Sequence, residues 1–403
     1  MTIQKTITAT VLTLGIATPA MAQGPGDILF NLRARYENAS QDGKLGADAA
    51  TLRTQLGWRS PEWNGFTLLG EIENVAALDG DDDYNSGLNG LTQYTGIKDG
   101  AFTELNRLQL AYAVSEAVTV TAGRQYVDFD DGRFVGSAGW RQDKNSHDAL
   151  RIDYASGAFA ASYVYHARLN RGPGEDAHWD GDSHLLRAQY AVSDAVRLAG
   201  FAYFIDITEP GAQERSNTTW GGRVTGERAF GDWGMDYALL YARQTDSGSA
   251  ATDFDLGYWA GDVSVSRGGA SFSVGYDVIE GDGVTAFSNP LGKNHGVLGW
   301  ADAFSGGGRQ GTVDGVEDFN VMAEYGMHWE AGLLRGLSAG LRRHEFEAER
   351  TGADLGSEWD GHITAEFDGG IELSWQVAEY DGPGVAPAPA DRTKSWIILS
   401  FSR

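Results

Sequence analysis

Ser271-Phe272-Ser273-Val274-Gly275-Tyr276-Asp277-Val278 alternates apolar with polar or small residues without a fault. Successive side chains of an extended chain point to opposite faces, so this stretch makes a strand with one greasy and one wet face. The same period of two recurs in both directions along the chain. Leu32, Ala34 and Tyr36 fall on one side of their segment, and Arg33, Arg35 and Glu37 on the other. Leu150, Ile152 and Tyr154 alternate with Arg151 and Asp153. Phe319, Val321, Ala323, Tyr325 and Met327 alternate with Asn320, Glu324 and His328. No window keeps a helical period over three turns. Marking every such segment predicts about eighteen strands of roughly 8–12 residues, near 28–37, 50–59, 65–75, 104–113, 117–126, 148–155, 158–168, 184–192, 195–206, 217–228, 233–244, 252–264, 270–279, 317–328, 336–347, 358–367, 370–380 and 392–401.

The connections alternate short and long. Ser115-Glu116, Ser156-Gly157, Gly231-Asp232 and Asp368-Gly369 have tight-turn chemistry, whereas 76–103, 127–147, 169–183, 280–316 and 381–391 are long. An even strand number with one short-turned and one long-looped end predicts an all-β fold: a transmembrane antiparallel β-barrel with short periplasmic turns and long extracellular loops. Trp58, Phe66, Tyr112, Tyr154, Phe159, Tyr190, Phe230, Trp329, Phe367 and Phe401 flank the short turns on the apolar face. Aromatics gathered at one level are what a headgroup interface selects. The last strand, Trp396 to Phe401, can pair with the first, and closure leaves no edge in hydrocarbon.

Composition agrees with this reading. The 403 residues include 55 Gly, 12 Trp, 16 Tyr and 17 Phe, but 9 Pro and no Cys. A formal charge of −25 argues against nucleic acid as a partner, and the lack of cysteine removes thiolate chemistry. Beyond residue 22 no apolar run approaches the roughly 18 residues of a membrane helix. Lys5, the apolar stretch from Ile7 to Ala17 and Ala20-Met21-Ala22 read as a secretory signal cleaved near Ala22. The expected organisation is therefore a signal peptide over 1–22 and a single barrel domain over 23–403, residing in a Gram-negative outer membrane against its lipid.

Eighteen strands enclose more space than their own side chains fill, so the lumen is expected to hold water and to conduct. Arg33, Arg35, Arg53, Arg107, Arg151, Arg187, Arg197 and Arg223 fall on inward parity in the first ten strands, with Glu37, Glu71, Glu73, Asp153 and Glu227 among them. Later strands turn acidic inside, with Asp236, Asp255, Asp277, Glu324, Glu366 and Glu372. A guanidinium stays charged and matches a carboxylate or phosphate with a planar fork, so the arginines make a track for anionic solutes or a salt-bridged wall. Loops 76–103 and 280–316 are the candidates to fold inward. Asp79 to Asp83 is acidic, but the run from Asp81 lacks the Gly and the twelfth-position Glu of a Ca²⁺ loop, so a solvated loop is expected. Neither a metal nor a cofactor is expected.

Arg33-Ala34-Arg35-Tyr36-Glu37, Leu105 to Tyr112, Gly123-Arg124-Gln125 and Arg133 to Gln142 followed by Asp148-Ala149-Leu150-Arg151 resemble the alginate export family. The resemblance covers about 28–155. It implies an eighteen-stranded outer-membrane barrel with an arginine-lined pore that passes an anionic polyuronate. It also implies that Arg124, Arg133 and Arg141 lie on or near the channel with Arg107 and Arg151. Arg124 shares parity with Val118 and Val120, so a pore position implies a bulge at Gly123.

The expected function is passive diffusion of hydrophilic, above all anionic, solutes such as sugar acids and oligosaccharides. Arg33, Arg35, Arg53, Arg107, Arg124, Arg133, Arg141 and Arg151 would form the pore wall. The chain is not expected to be an enzyme, having no Gly-x-Ser-x-Gly, His-Glu-x-x-His or phosphate loop. The alternatives are a barrel hydrolase of lipase or protease type, using inward His166, His328, His344 or His362, and a structural or adhesin-like barrel.

Overall fold

A computed structural model describes residues 25–402 except 173, 175–176, 194 and 307–308; the leader expected over 1–22 lies outside the described residues. The strands are β1 (Asp27–Gln41), β2 (Ala47–Arg59), β3 (Phe66–Ala77), β4 (Phe102–Ser115), β5 (Val118–Gln125), β6 (Ser146–Ser156), β7 (Phe159–Asn170), β8 (Trp179–Ser193), β9 (Val196–Ile205) and β10 (Asn217–Phe230). They continue as β11 (Trp233–Asp246), β12 (Asp255–Arg267), β13 (Ala270–Ile279), β14 (Ser305–Gly306), β15 (Arg309–Gln310), β16 (Val316–His328), β17 (Leu334–Glu347), β18 (Asp354–Phe367), β19 (Ile371–Asp381) and β20 (Arg392–Ser402). Strands β14 and β15 form a small hairpin of their own inside a loop, and the other eighteen make one sheet. Each pairs antiparallel with its chain neighbour, and β20 returns to β1 with Leu32 beside Phe401 and Tyr36 beside Ile397. The sheet therefore has no free edge.

The faces are inverted relative to a protein that folds in water. On β13, Phe272 and Tyr276 are 48% and 45% exposed while Asp277 is buried. Leu56, Leu108, Leu239, Val263, Leu341 and Ile397 continue this exposed apolar face around the barrel. Such an area is stable only against hydrocarbon. At the short-turn end, Phe66 stacks on Tyr112 with ring centres 4.4 Å apart, and Tyr154 meets Phe159 at 6.0 Å. Trp58, Tyr190, Phe230 and Trp329 are also exposed at that end, as the sequence pattern predicts.

Two details of register differ from the sequence reading. Asp255, expected inside, lies outside and pairs with exposed Arg243 at 2.6 Å, because the inward parity of β12 belongs to Leu256 and Tyr258. At Gly123 the ladder runs unbroken, with Leu108 opposite Arg124 and Leu110 opposite Ala122, so the implied bulge is absent. Gly123 instead adopts φ +113°, and a Cβ there would stand 2.3 Å from the Leu108 carbonyl oxygen. Gly123→Ala should therefore cost roughly 2 kcal/mol or more through strain and steric overlap. Cold electrophoresis in SDS would show a smaller folded fraction than wild type; an unchanged band would mean that β4 yields freely.

Three long connections turn into the barrel. Loop 280–315, expected as a candidate, buries Phe287, Leu291, Val297, Leu298 and Phe304 inside it. Loop 78–101, the other candidate, seats Tyr84 and Ile97 on Ala39, Ala47 and Ala49 at the mouth. Loop 126–145 was expected inside only through the resemblance that put Arg133 and Arg141 on or near the channel. It carries Val127, Phe129, Phe134 and Val135 into the same interior cluster, where Phe134 meets Phe201 at 5.3 Å and Tyr258 at 5.8 Å. Burial of these rings fixes the loop against the wall, since each large aromatic removed from water contributes on the order of 2 kcal/mol.

Candidate functional site

Loop 126–145 crosses the lumen, and arginines of β1 and β2 strap one end of it down. Arg33 donates from Nε to Gln142 Oε1 (2.8 Å) and from its terminal nitrogens to the carbonyls of Gly139 (3.0 Å) and Trp140 (3.1 Å). Arg35 donates to the Trp140 carbonyl (2.7 Å), and its guanidinium lies 4.7 Å over the Trp140 ring. Arg53 donates to the Gln142 carbonyl at 3.3 Å. Carbonyls at a loop apex otherwise need water, and a guanidinium fork can satisfy several at once. Arg35 also holds Glu37 (2.9 Å) and Asp99 of loop 78–101 (3.5 Å). At the root of the loop, Arg107 grips Glu71 with two hydrogen bonds (2.9 and 2.7 Å) and stacks 4.6 Å over Tyr126.

The other end reaches across the barrel. Arg133 pairs with Asp277 of β13 and lies 5.0 Å over Tyr258. There the loop meets 280–315: Gly136 donates to the Leu291 carbonyl (2.9 Å) and Lys293 to the Gly132 carbonyl (2.9 Å). Trp140 stacks flat on His295 at 3.9 Å. Asp302 gathers Lys394 (2.8 Å), His295 (3.0 Å) and Arg141 (3.4 Å). Burial opposes the charge of Asp302, but Lys394, His295 and Arg141 together hold its carboxyl well below the usual carboxylate range. The two loops thus form one joined constriction.

Beside it remains a cavity of about 1530 Å³. Its lining begins at Asn85, Leu88 and Lys98 in loop 78–101 and extends to Ser193 and Tyr237 near the short turns. Tyr237 donates from its hydroxyl to the Ala195 carbonyl at 3.0 Å, which places that end at the turn. The wall on this side is β6 to β12, and it carries Arg151 on β6, Arg187 on β8, Arg197 on β9 and Arg223 on β10. Arg187 and Arg223 face loop carboxylates, with Arg187 Nε 3.0 Å from Asp130 and Arg223 3.2 Å from Asp131. Burial raises the Asp131 carboxyl, yet Arg133, Arg223 and Lys293 outweigh it and keep the group below its ordinary value. Four lysines and seven arginines line the cavity against seven aspartates and one glutamate. The lining of this cavity carries a small positive excess inside a strongly negative chain.

The eight arginines singled out from sequence have different placements. Arg141 and Arg151 line the cavity. Arg33, Arg35 and Arg53 point inward but are buried beneath loop 126–145, and Arg107 braces its root. Arg133 sits on the loop, turned to the far wall. Arg124 lies on the outer face opposite Leu108, paired with Asp148 at 2.8 Å. Arg187, Arg197 and Arg223, inward by parity, are cavity residues that belong with Arg151.

The inward histidines are wall residues. His344 is buried between Asp318 (2.9 Å) and Asp360 (3.4 Å), and Asp360 accepts the backbone N–H of Trp300 while Glu358 accepts that of Ala301. His166 packs edge-on against His147 at 5.1 Å, and His362 reaches Glu324 at 3.7 Å. His328 closes β16 at the short-turn end. Two groups among the described residues bring three metal-ligand atoms together: His178, Asp180 and Glu209 on the loop end, and the buried Glu73, Glu104 and Asp143. In the first, Asp180 is already taken by Arg168 at 2.6 Å.

No protein-family model matches the chain, and no curated protein matches it. Solved structures do resemble it. OccK2 (OpdF) of Pseudomonas aeruginosa superposes with a TM-score of 0.70 at 14% identity, over 93% of this chain and 97% of that one. OpdK of Pseudomonas aeruginosa, solved with vanillate, gives 0.69 at 14% identity over 94% and 98%. Acinetobacter baumannii OccAB4 gives 0.69 at 13% identity over 95% and 99%. At these identities the likeness is one of fold.

Proposed function

We propose that the chain is a passive diffusion channel of the Gram-negative outer membrane, delivered there after loss of residues 1–22, for small hydrophilic and chiefly anionic solutes. The observation that carries this reading is the cavity itself. It extends from a loop at one end of a closed barrel to the turns at the other, and its cationic groups outnumber its acids although the whole chain carries −25. A positive, water-filled path through hydrocarbon lowers the electrostatic cost of an anion above that of a cation. Support for the location comes from the lipid-suited outer face and from the likeness to OpdK, described as an outer membrane protein.

Sugar acids and short oligosaccharides suit this lumen, as do small aromatic carboxylates of the vanillate kind. The three inward loops suit small solutes better than a polymer thread, so a polyuronate is not part of the proposal. Planar-bilayer recording of the refolded chain should show discrete conductance steps, and the reversal potential in a KCl gradient should report chloride preference. No steps, or preference for potassium, would overturn the reading.

A further inference from the structure

Asp143 borders the cavity, but Glu73 and Glu104 have no part in the path just described, and the placement of the three together is costly. Glu73 on β3 and Glu104 on β4 are direct register partners, both pointing inward. Like charges opposite one another on a sheet face destabilise it. Loop 126–145 then adds Asp143, so that one oxygen from each of the three lies within 4.8 Å of the others. All three side chains belong to buried residues.

A second observation points to something bound between them. Glu73 Oε1 and Asp143 Oδ1 are buried and accept no hydrogen bond, and neither does the amide oxygen of neighbouring Asn106. Among the described residues no donor reaches these oxygens within hydrogen-bond distance. Gln55 serves the other oxygen of Glu73, and the Gly174 N–H donates to the other oxygen of Asp143 at 2.8 Å. Arg53 approaches Glu73 only to 4.0 Å, Arg107 is engaged by Glu71, and Lys144 lies 5.3 Å over the Tyr126 ring. A buried carboxylate oxygen with no donor calls for a cation or a proton.

We propose that Glu73, Glu104 and Asp143 bind one divalent cation of the Ca²⁺ type, which fastens loop 126–145 to the β3–β4 wall. The donor set is oxygen alone, which selects hard cations over zinc or copper. Ca²⁺ holds its oxygens at about 2.3–2.6 Å, so two of its ligands stand at most roughly 5 Å apart, and three oxygens all within 4.8 Å of one another can share one ion. Mg²⁺ demands near-ideal octahedral geometry at about 2.0–2.1 Å, which a site shared between wall and loop meets less readily. Asn106 turns its amide nitrogen to Glu71 and Glu73, so its oxygen would join only after the amide turns over. The ion would join wall to loop where oxygens of Glu73 and Asp143 lack a donor.

The full chain in detergent, stripped with EGTA, is titrated calorimetrically with CaCl₂. One Ca²⁺ per chain is expected, with MgCl₂ binding more weakly. Asp143→Asn, a loop substitution outside the strand pairing, should lower the affinity roughly tenfold or more, as loss of a charged ligand does. Glu104→Gln should do the same from the wall side, and Asp81→Asn with Asp83→Asn, on the exposed acidic loop, should leave the affinity unchanged. No saturable binding by wild type, unchanged binding in folded Asp143→Asn or Glu104→Gln protein, or loss of binding in the Asp81→Asn and Asp83→Asn protein would each overturn the site. Because the readout is binding and not current, a failure here is distinct from a failure of the channel reading.

Discussion

Replacing residues 130–141 with a short Gly-Ser turn should raise single-channel conductance several-fold. Those residues contain the crossing part of loop 126–145, including Phe134, Trp140 and both arginines that reach Asp277 and Asp302. Eighteen strands alone enclose an aqueous bore, so the loops and not the wall set the narrowest section. The barrel itself should survive. Strands β5 and β6 pair from Gln125 opposite His147 downward without help from the removed segment. Arg33 and Arg35 would lose the Gly139 and Trp140 carbonyls but gain water, and a guanidinium is costly only when left dry. Exposure of Phe201, Tyr203 and Tyr258 should lower stability, visible as an earlier urea midpoint. Planar-bilayer conductance at fixed salt is the measurement; an unchanged step would place the narrowest point at loop 280–315.

How far this site could be read in advance depends on the kind of information each part needs. The wall was readable because parity is local: Arg151, Arg187, Arg197 and Arg223 occupy inward positions that alternation alone assigns. What covers an inward residue is not local. Arg33 and Arg35 have the same parity as Arg151, and only the approach of a loop from more than a hundred residues away buries them. A signal for that loop was nonetheless present. Val127, Phe129, Phe134, Val135 and Trp140 are five large apolar side chains in a stretch otherwise full of aspartate and glycine. A connection with that content cannot remain in water without exposing them. Loop 280–315 carries Phe287, Leu291, Val297, Leu298 and Phe304 and obeys the same logic. Arg124 shows the opposite failure. Its parity put it outside from the start, and the expectation of a bulge was needed to turn it inward. An ion pair with Asp148 lets a charged residue remain on the outer face near the loop end.

Reversing three rungs of the wall should invert ion preference. In Arg151→Glu/Arg187→Glu/Arg197→Glu protein the cavity would keep four lysines and four arginines against seven aspartates and four glutamates, so its excess of positive charge becomes an equal excess of negative charge. Charges within one Debye length of the path, about 8–10 Å at ordinary salt, act on every permeating ion. The reversal potential in a KCl gradient should therefore change sign, and the shift should shrink as salt is raised. Lumen substitutions of this kind tune selectivity, although Arg151 gives up Asp153 and Arg187 gives up Asp130. Arg187 needs its own control, because it holds Asp130 on the constricting loop and a glutamate there would push the loop away. Arg187→Gln removes the grip without the repulsion, separating wider bore from altered charge. Arg197 provides the cleanest single change. It has no ion pair among the described residues and lies on the cavity near the short turns, so Arg197→Glu should move the reversal potential part of the way at unchanged conductance. If the triple variant keeps the wild-type sign, current does not run along the β6–β10 wall, and the cationic lining serves only to hold the loops in place.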